Sequence, residues 1–179
     1  MQETICPVCR SESFKFYKPY SGRSILFQNK SIVICSDCVL SYMSPVPTAD
    51  QLNDYYVNGS YWGVSIEGGA NRLVYHHRAA ARWEFIKTNM KISDSLTVLD
   101  IGAGFGSLEV VIKEDFHGRL DLCALEFDFR ARASLERLDV DCQDSIESWQ
   151  GKKFDLIVMS HVLEHIRNPT DYLQSLINY

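Results

Sequence analysis

Val98-Leu-Asp-Ile-Gly-Ala-Gly-Phe-Gly106 is the stretch from which the rest of the chain is read. Thr97 to Ile101 is a short apolar strand, and it runs straight into Gly102, Gly104 and Gly106. Glycine lets the backbone turn sharply and lets a ligand approach the main chain with no Cβ in the way. A helix is expected from Leu108 to Phe116. Its N-terminus adds free N–H groups and the positive end of a dipole, which suits a carboxylate or phosphate. The spacing is GxGxG, with Ser107 where the dinucleotide fingerprint wants Gly or Ala, and this disfavours NAD and FAD. Asp100 lies two residues before the first glycine, where a carboxylate suits a ligand with an ammonium group. Glu126 ends the next strand, 20 residues after Gly106. An acid at that place can accept both hydroxyls of a ribose.

Working outward, Asp121 to Glu126 reads as a second strand, Arg130 to Leu138 as a helix and Val140 to Cys142 as a third strand. Phe154 to Met159 reads as a fourth strand, and Thr170 to Ile177 as a final helix. Strands and helices alternating at these lengths imply βαβ units and a parallel sheet. Upstream, residues 70–90 have helical periodicity without Gly or Pro inside. His76 and His77 are read as residues on a face of that helix. Thr48 to Tyr56 reads as a short helix capped by Thr48. Asn58 to Gly69 is loop-like, and its Asn58-Gly-Ser60 triplet is read as a chance sequon.

The N-terminal part is organised by cysteine. Cys6-Pro-Val-Cys9 and Cys35-Ser-Asp-Cys38 are two CxxC pairs with 25 residues between them. That is the spacing of a zinc ribbon, in which two thiolates on each tight turn complete a tetrahedron. With four cysteines no position is left open, so the expected Zn2+ is structural. Between the pairs lie strand formers: Phe14, Phe16, Tyr17, then Ile25 to Phe27, then Ile32 to Ile34. Pro45-Val-Pro47 breaks the module, since proline cannot continue a ladder. Cys123 and Cys142 are read as buried small residues. A pair of disulfides would need an oxidising compartment, and the start of the chain has no apolar signal region. A cytoplasmic location is therefore expected. The formal charge of −5 argues against broad binding to nucleic acid or anionic membranes.

On these motifs the chain resembles the class I S-adenosylmethionine-dependent methyltransferases. Val98 to Gly106 matches their first motif, hydrophobic-hydrophobic-Asp-x-Gly-x-Gly-x-Gly, at every fixed position. Glu126 corresponds to the acidic end of their second strand and Asp144 to the polar residue after their third. The segment from Phe154 to His165, with its Val-Leu-Glu-His ending, resembles their fourth strand and the turn after it, and Asn168-Pro169 also fits. The resemblance implies an α/β, Rossmann-like sheet, incomplete here, with strands in the order 3-2-1-4, preceded by the small zinc ribbon. The implied domains are 1–47 for the ribbon, 48–94 for a linking helical segment and 95–179 for the N-terminal half of the methyltransferase fold.

The resemblance also implies roles. Gly102, Gly104 and Gly106 would cradle the methionine part of S-adenosyl-L-methionine, and Asp100 would hold its amino group. Glu126 would take the ribose hydroxyls, Asp144 the adenine amino group, and Phe127 would pack on the adenine face. His161 and His165, just past the fourth strand, are candidate catalytic bases; the other reading is that this segment stabilises the turn into the last helix. Tyr55, Tyr56, Tyr61 and Trp62 either lid the site or pack the ribbon. The N-terminal module is similar to that of a zinc-containing subgroup that includes C-methyltransferases of nucleotide-linked deoxysugars. The implied partner is thus a small-molecule methyl acceptor. The alternative is a non-catalytic interaction module.

Length qualifies this reading. The family sheet has seven strands, and 179 residues accommodate the ribbon and four of them. The expectation is a truncated chain or half of a split enzyme. It would bind cofactor weakly alone, lack turnover, and self-associate or pair with a complementing chain through the exposed edge of the fourth strand.

Overall fold

The structure, a computed structural model, describes residues 5–22, 24–57 and 69–179. In chain order the first elements are β1 (Phe14–Pro19), β2 (Ser31–Cys35), β3 (Ser41–Ser44), α1 (Ala49–Val57) and α2 (Gly69–Asn89). There follow β4 (Ser95–Ile101), α3 (Ser107–Asp115), β5 (Arg119–Leu125), α4 (Phe129–Arg137), β6 (Asp141–Gln143), β7 (Leu156–Met159) and α5 (Pro169–Leu176). They form two compact units, Met1–Asn58 with Leu163–Ile177, and Gly59–Val162 with Asn178–Tyr179. No helix among the described residues is long and apolar enough to cross a membrane.

The first unit is built on an antiparallel sheet in the order β1-β2-β3. Val33 faces Phe16 on one side and Tyr42 on the other. Val33 and Tyr42 are buried with Cys6 and Cys35, so the small core of this unit is centred on the cysteines. Ile25 to Phe27, expected among the strand formers, is instead a 3₁₀ turn with Ile25 83% exposed. The turn belongs to the connection between β1 and β2, which Asn29 bends with a φ of 64°. Its Phe27 ring meets Tyr20 edge-on at 5.5 Å and Tyr55 of α1 at 6.2 Å. Thr48 starts α1 as expected, in a reciprocal cap. Its hydroxyl accepts the Gln51 N–H at 3.2 Å, and the Gln51 side chain accepts the Thr48 N–H at 3.0 Å. α5 opens with Pro169 in its first turn. The Arg10 guanidinium reaches Asn168 and Asp171, and the Thr170 hydroxyl donates to the Val8 carbonyl.

The second unit is a four-stranded sheet in the order β6-β5-β4-β7, and every pairing is parallel. This is the expected 3-2-1-4 arrangement, with element boundaries shifted by a residue or two. Both faces of the central strands are buried, as a parallel sheet requires. Leu96 and Val98 of β4, with Leu122 and Ala124 of β5, pack against Ala79 and Trp83 of α2, Leu108, Val111 and Ile112 of α3, and Leu135 of α4. Leu99, Ile101, Cys123 and Leu125 alternate with these and are buried too. The period of two therefore carries Asp100 and Glu126 onto the helix-covered face, one step beyond Val98 and Ala124.

Trp83 anchors that face. It is 1% exposed, and its indole N–H donates to Asp115 of α3 at 2.7 Å. Trp83→Ala removes both the packing and the tie between α2 and α3. It is expected to cost about 3–5 kcal/mol, measured by urea unfolding followed by far-ultraviolet circular dichroism.

Candidate functional site

The C-terminal edge of the parallel sheet gathers the glycine loop and its acids. Gly102, Gly104 and Gly106 have φ of 72°, 58° and 83°, in the left-handed region that side chains disfavour. A Cβ on Gly102 would lie 2.4 Å from Val162 Cγ2, and one on Gly106 would lie 2.5 Å from Leu138 Cδ1. Both positions are thus closed by packing inside the unit. Gly104 differs, because a Cβ there meets nothing within 4 Å. It is the one of the three whose missing side chain leaves room for a ligand. Gly106 caps α3, so the loop delivers a helix N-terminus directly beneath it.

Glu126 is 7% exposed and turned toward the backbone. Its Oε2 accepts the Gly104 N–H at 2.8 Å. Its Oε1 accepts the N–H groups of Phe127 at 2.8 Å and Asp128 at 3.0 Å. The ends of β4 and β5 are thereby tied through one carboxylate. Phe127, next in the chain, is 61% exposed. Asp144 lies past β6, exposed, with the Arg132 guanidinium at 3.0 Å.

Asp100 is buried on the face covered by α2 and α3, and what it meets there was not foreseen. Glu109 of α3 is 1% exposed, and neither of its carboxylate oxygens has a hydrogen-bond partner among the described residues. Burial first, and then the neighbouring Glu109, raise the Asp100 pKa well above the ordinary carboxylate range. Burial raises that of Glu109 too, to about 7. Arg82 of α2 opposes both shifts with its positive charge. Its Nη1 donates to Ser160 Oγ at 2.8 Å, while its buried Nε has no partner among the described residues. The signal for Glu109 was its place between Leu108 and Val111 on the buried stripe of α3. It reads equally well as an acid complementing the helix dipole.

The two candidate histidines fall in different units. His161 follows β7, exposed, with a φ of 58°. His165 ends a short 3₁₀ turn, Leu163–His165, in the first unit and is half-buried. Tyr55 packs on Phe27; Tyr61, Trp62 and the side chain of Tyr56 lie outside the described residues. Cys123 is buried and Cys142 half-buried, and burial pushes both thiols up to about 11, away from reactivity at neutral pH.

The remaining four cysteines converge. Their sulfur atoms all lie within 4.8 Å of one another, with Cys6 to Cys38 and Cys9 to Cys35 each at 3.5 Å. A Zn–S bond of about 2.3 Å implies sulfur separations of about 3.8 Å around a tetrahedral ion, so the cluster matches such a site closely. The two CxxC turns are built alike. In the first, Cys6 N–H donates to the Ser11 carbonyl and Arg10 N–H to the Cys6 carbonyl. In the second, Cys35 N–H donates to Leu40 and Val39 N–H to Cys35. The residue after each pair, Arg10 or Val39, is left-handed at φ 62° or 63°. The N–H groups of Cys38 and Asp37 lower the Cys35 thiol to about 6, while burial and the neighbouring thiols push its partner Cys9 up to about 12.

Known proteins resemble this arrangement. No curated protein matches the sequence. Among solved structures, the plantazolicin methyltransferase BpumL in complex with a monoazolic desmethylPZN analog and SAH is 17% identical, with a TM-score of 0.50. That match covers 72% of this chain and 52% of that one. The plantazolicin methyltransferase BamL in complex with a triazolic analog and SAH is 19% identical with a TM-score of 0.47, over 71% of this chain and 50% of that one. The chain thus spans about half the length of the structures it matches, and the BpumL likeness shows the fold. The methyltransferase-domain family matches residues 74–179, more than half of the sequence. With a parallel sheet of the same kind and a glycine loop at the end of its central strand, this chain belongs to the methyltransferase-domain family.

Proposed function

We propose that this chain binds S-adenosyl-L-methionine at the C-terminal edge of its parallel sheet and serves methyl transfer to a small-molecule acceptor. The observation that carries the reading is the open space at Gly104, whose N–H is held by Glu126, on the loop that leads into the N-terminus of α3. The cofactor supplies a methyl group already activated on a sulfonium, so the protein's work is to bind and orient. The glycine loop admits the amino-acid end of the ligand, and Asp100 faces its ammonium. Glu126 spends three acceptor positions on backbone N–H groups and keeps capacity on Oε2 for a ribose hydroxyl. Phe127 offers an exposed ring to the base, and Asp144 an acceptor to its amino group. His161, in the same unit as the glycine loop, takes the proton of the acceptor. A nucleotide-linked sugar is the acceptor class that the ribbon-bearing resemblance supports.

Titration calorimetry with S-adenosylhomocysteine tests the reading, and saturable binding is expected. Gly104→Trp, which fills the open space, should weaken it by on the order of 100-fold, and Glu126→Ala by about 10- to 100-fold. Absence of saturable binding to the folded chain would remove the proposal.

We propose further that the four-cysteine cluster holds one structural Zn2+, in a cytoplasmic setting where thiols stay reduced. Metal analysis of purified chain should give about one zinc per chain, and Cys35→Ser should lower it below half. A cobalt-loaded sample should show intense thiolate-to-metal absorption. A metal-free preparation with unchanged thermal stability would refute the structural role.

A further inference from the structure

The acids under the glycine loop leave a charge account that the binding role does not close. Asp100 of β4 and Glu109 of α3 are both buried, and the Glu109 oxygens find no donor among the described residues. Among the described residues, the charged groups facing this pair are the Arg82 guanidinium from α2 and the Glu126 carboxylate from the end of β5. Glu126 is already satisfied by three backbone N–H groups. Arg82 directs Nη1 to Ser160, and its Nε finds no partner among the described residues. Among the described residues, one guanidinium thus faces three carboxyl groups in a buried site. Two adjacent carboxylates cannot both stay charged there at neutral pH, and a proton held between them supplies the donor that Glu109 lacks.

The pair also borders the loop on which the proposed ligand would sit. A Cβ placed on Gly106 would sit 3.8 Å from Glu109 Oε2, so this carboxyl lies against the glycine loop. An ammonium seated at Asp100 brings the positive charge that the proton otherwise provides. The two cations compete for one place.

We propose that Asp100 and Glu109 share a proton in the free protein and release it to solvent when the ammonium of the ligand's amino-acid end docks at Asp100. Glu109 is then a positioning residue, acting through Asp100, and capture of an amino-acid-bearing nucleoside is coupled to pH. This rests on the binding site proposed above. In the coupled step one carboxyl O–H bond breaks, the proton passes to buffer, and the carboxylate so formed pairs with the ligand's N–H donors. No electrons are exchanged.

The direction of the pH effect follows. Below the pair's pKa the ligand must displace a proton, so affinity rises with pH by up to about tenfold per unit and levels off above it. Stability of the free protein runs the other way. A carboxyl whose folded pKa is raised from 4.5 to about 7 contributes stability that is full below the unfolded pKa. That contribution is lost as pH rises through the folded one.

Calorimetry of S-adenosylhomocysteine binding at pH 6, in buffers of differing ionisation enthalpy, counts the protons released. About one proton per ligand is expected, against about none for 5′-methylthioadenosine, which lacks the amino-acid end. Glu109→Gln keeps the shape, gives Asp100 an N–H donor and removes the store. It should cut proton release to below half and flatten the pH profile of S-adenosylhomocysteine, leaving 5′-methylthioadenosine binding unchanged. If the variant fails to fold, the comparison of the two ligands on the unaltered chain decides alone. Binding of S-adenosylhomocysteine with no proton release and a flat profile from pH 5.5 to 7.5 overturns the coupling and leaves the site standing. No binding at any pH overturns the site itself.

Discussion

The second unit depends on how one carboxylate satisfies the backbone at the sheet's C-terminal edge. Where β4 and β5 end, their N–H groups lose the ladder, and a left-handed glycine turn exposes more of them. Glu126 collects three: one from the β4 side at Gly104 and two from its own turn. The ladder itself persists a little further, with Gly102 N–H on the Leu125 carbonyl and Glu126 N–H on that of Gln143. The loop therefore keeps its shape by internal bonding. A ligand meets a prepared surface and avoids much of the ordering cost that would erode its affinity.

The same edge shows what a sequence discloses and what it conceals. The strand, the glycines and the acid ending the next strand were legible, because backbone conformation and a period of two are local properties. The sulfur cluster was legible because CxxC spacing nearly dictates its own turn, and both turns have the same hydrogen bonds. Glu109 was not. Its burial depends on α2 arriving over α3, a packing decision made some thirty residues upstream, and no local pattern separates a buried acid from a dipole-complementing one. Ile25 to Phe27 misled for a related reason. β-branched and aromatic residues favour a strand only when a partner edge is available, and here β2 already pairs on both sides.

The two acidic positions under the glycine loop differ instructively. Glu126 and Asp100 lie on the same face, Glu126 two residues further along than the partner of Asp100, yet one accepts three backbone N–H groups and the other faces a second carboxyl. Placement on one face by strand periodicity thus sets one acid among N–H donors and the other beside a buried carboxyl. The neighbouring helix makes the difference, so the electrostatics of the site belong to α2 and α3 as much as to the strands that carry its motif.

Arg10 occupies the left-handed position of the first cysteine turn, and its side chain reaches Asp171, 161 residues away along the chain. The ribbon and its complement in residues 163–177 enclose, in sequence, the whole parallel sheet. During synthesis the ribbon leaves the ribosome before the sheet, yet its unit is completed only after the sheet has been made. Order of birth and order of completion are reversed. The early segment waits with its complement unmade, and both of its cysteine turns draw their backbone hydrogen bonds from residues close by in sequence.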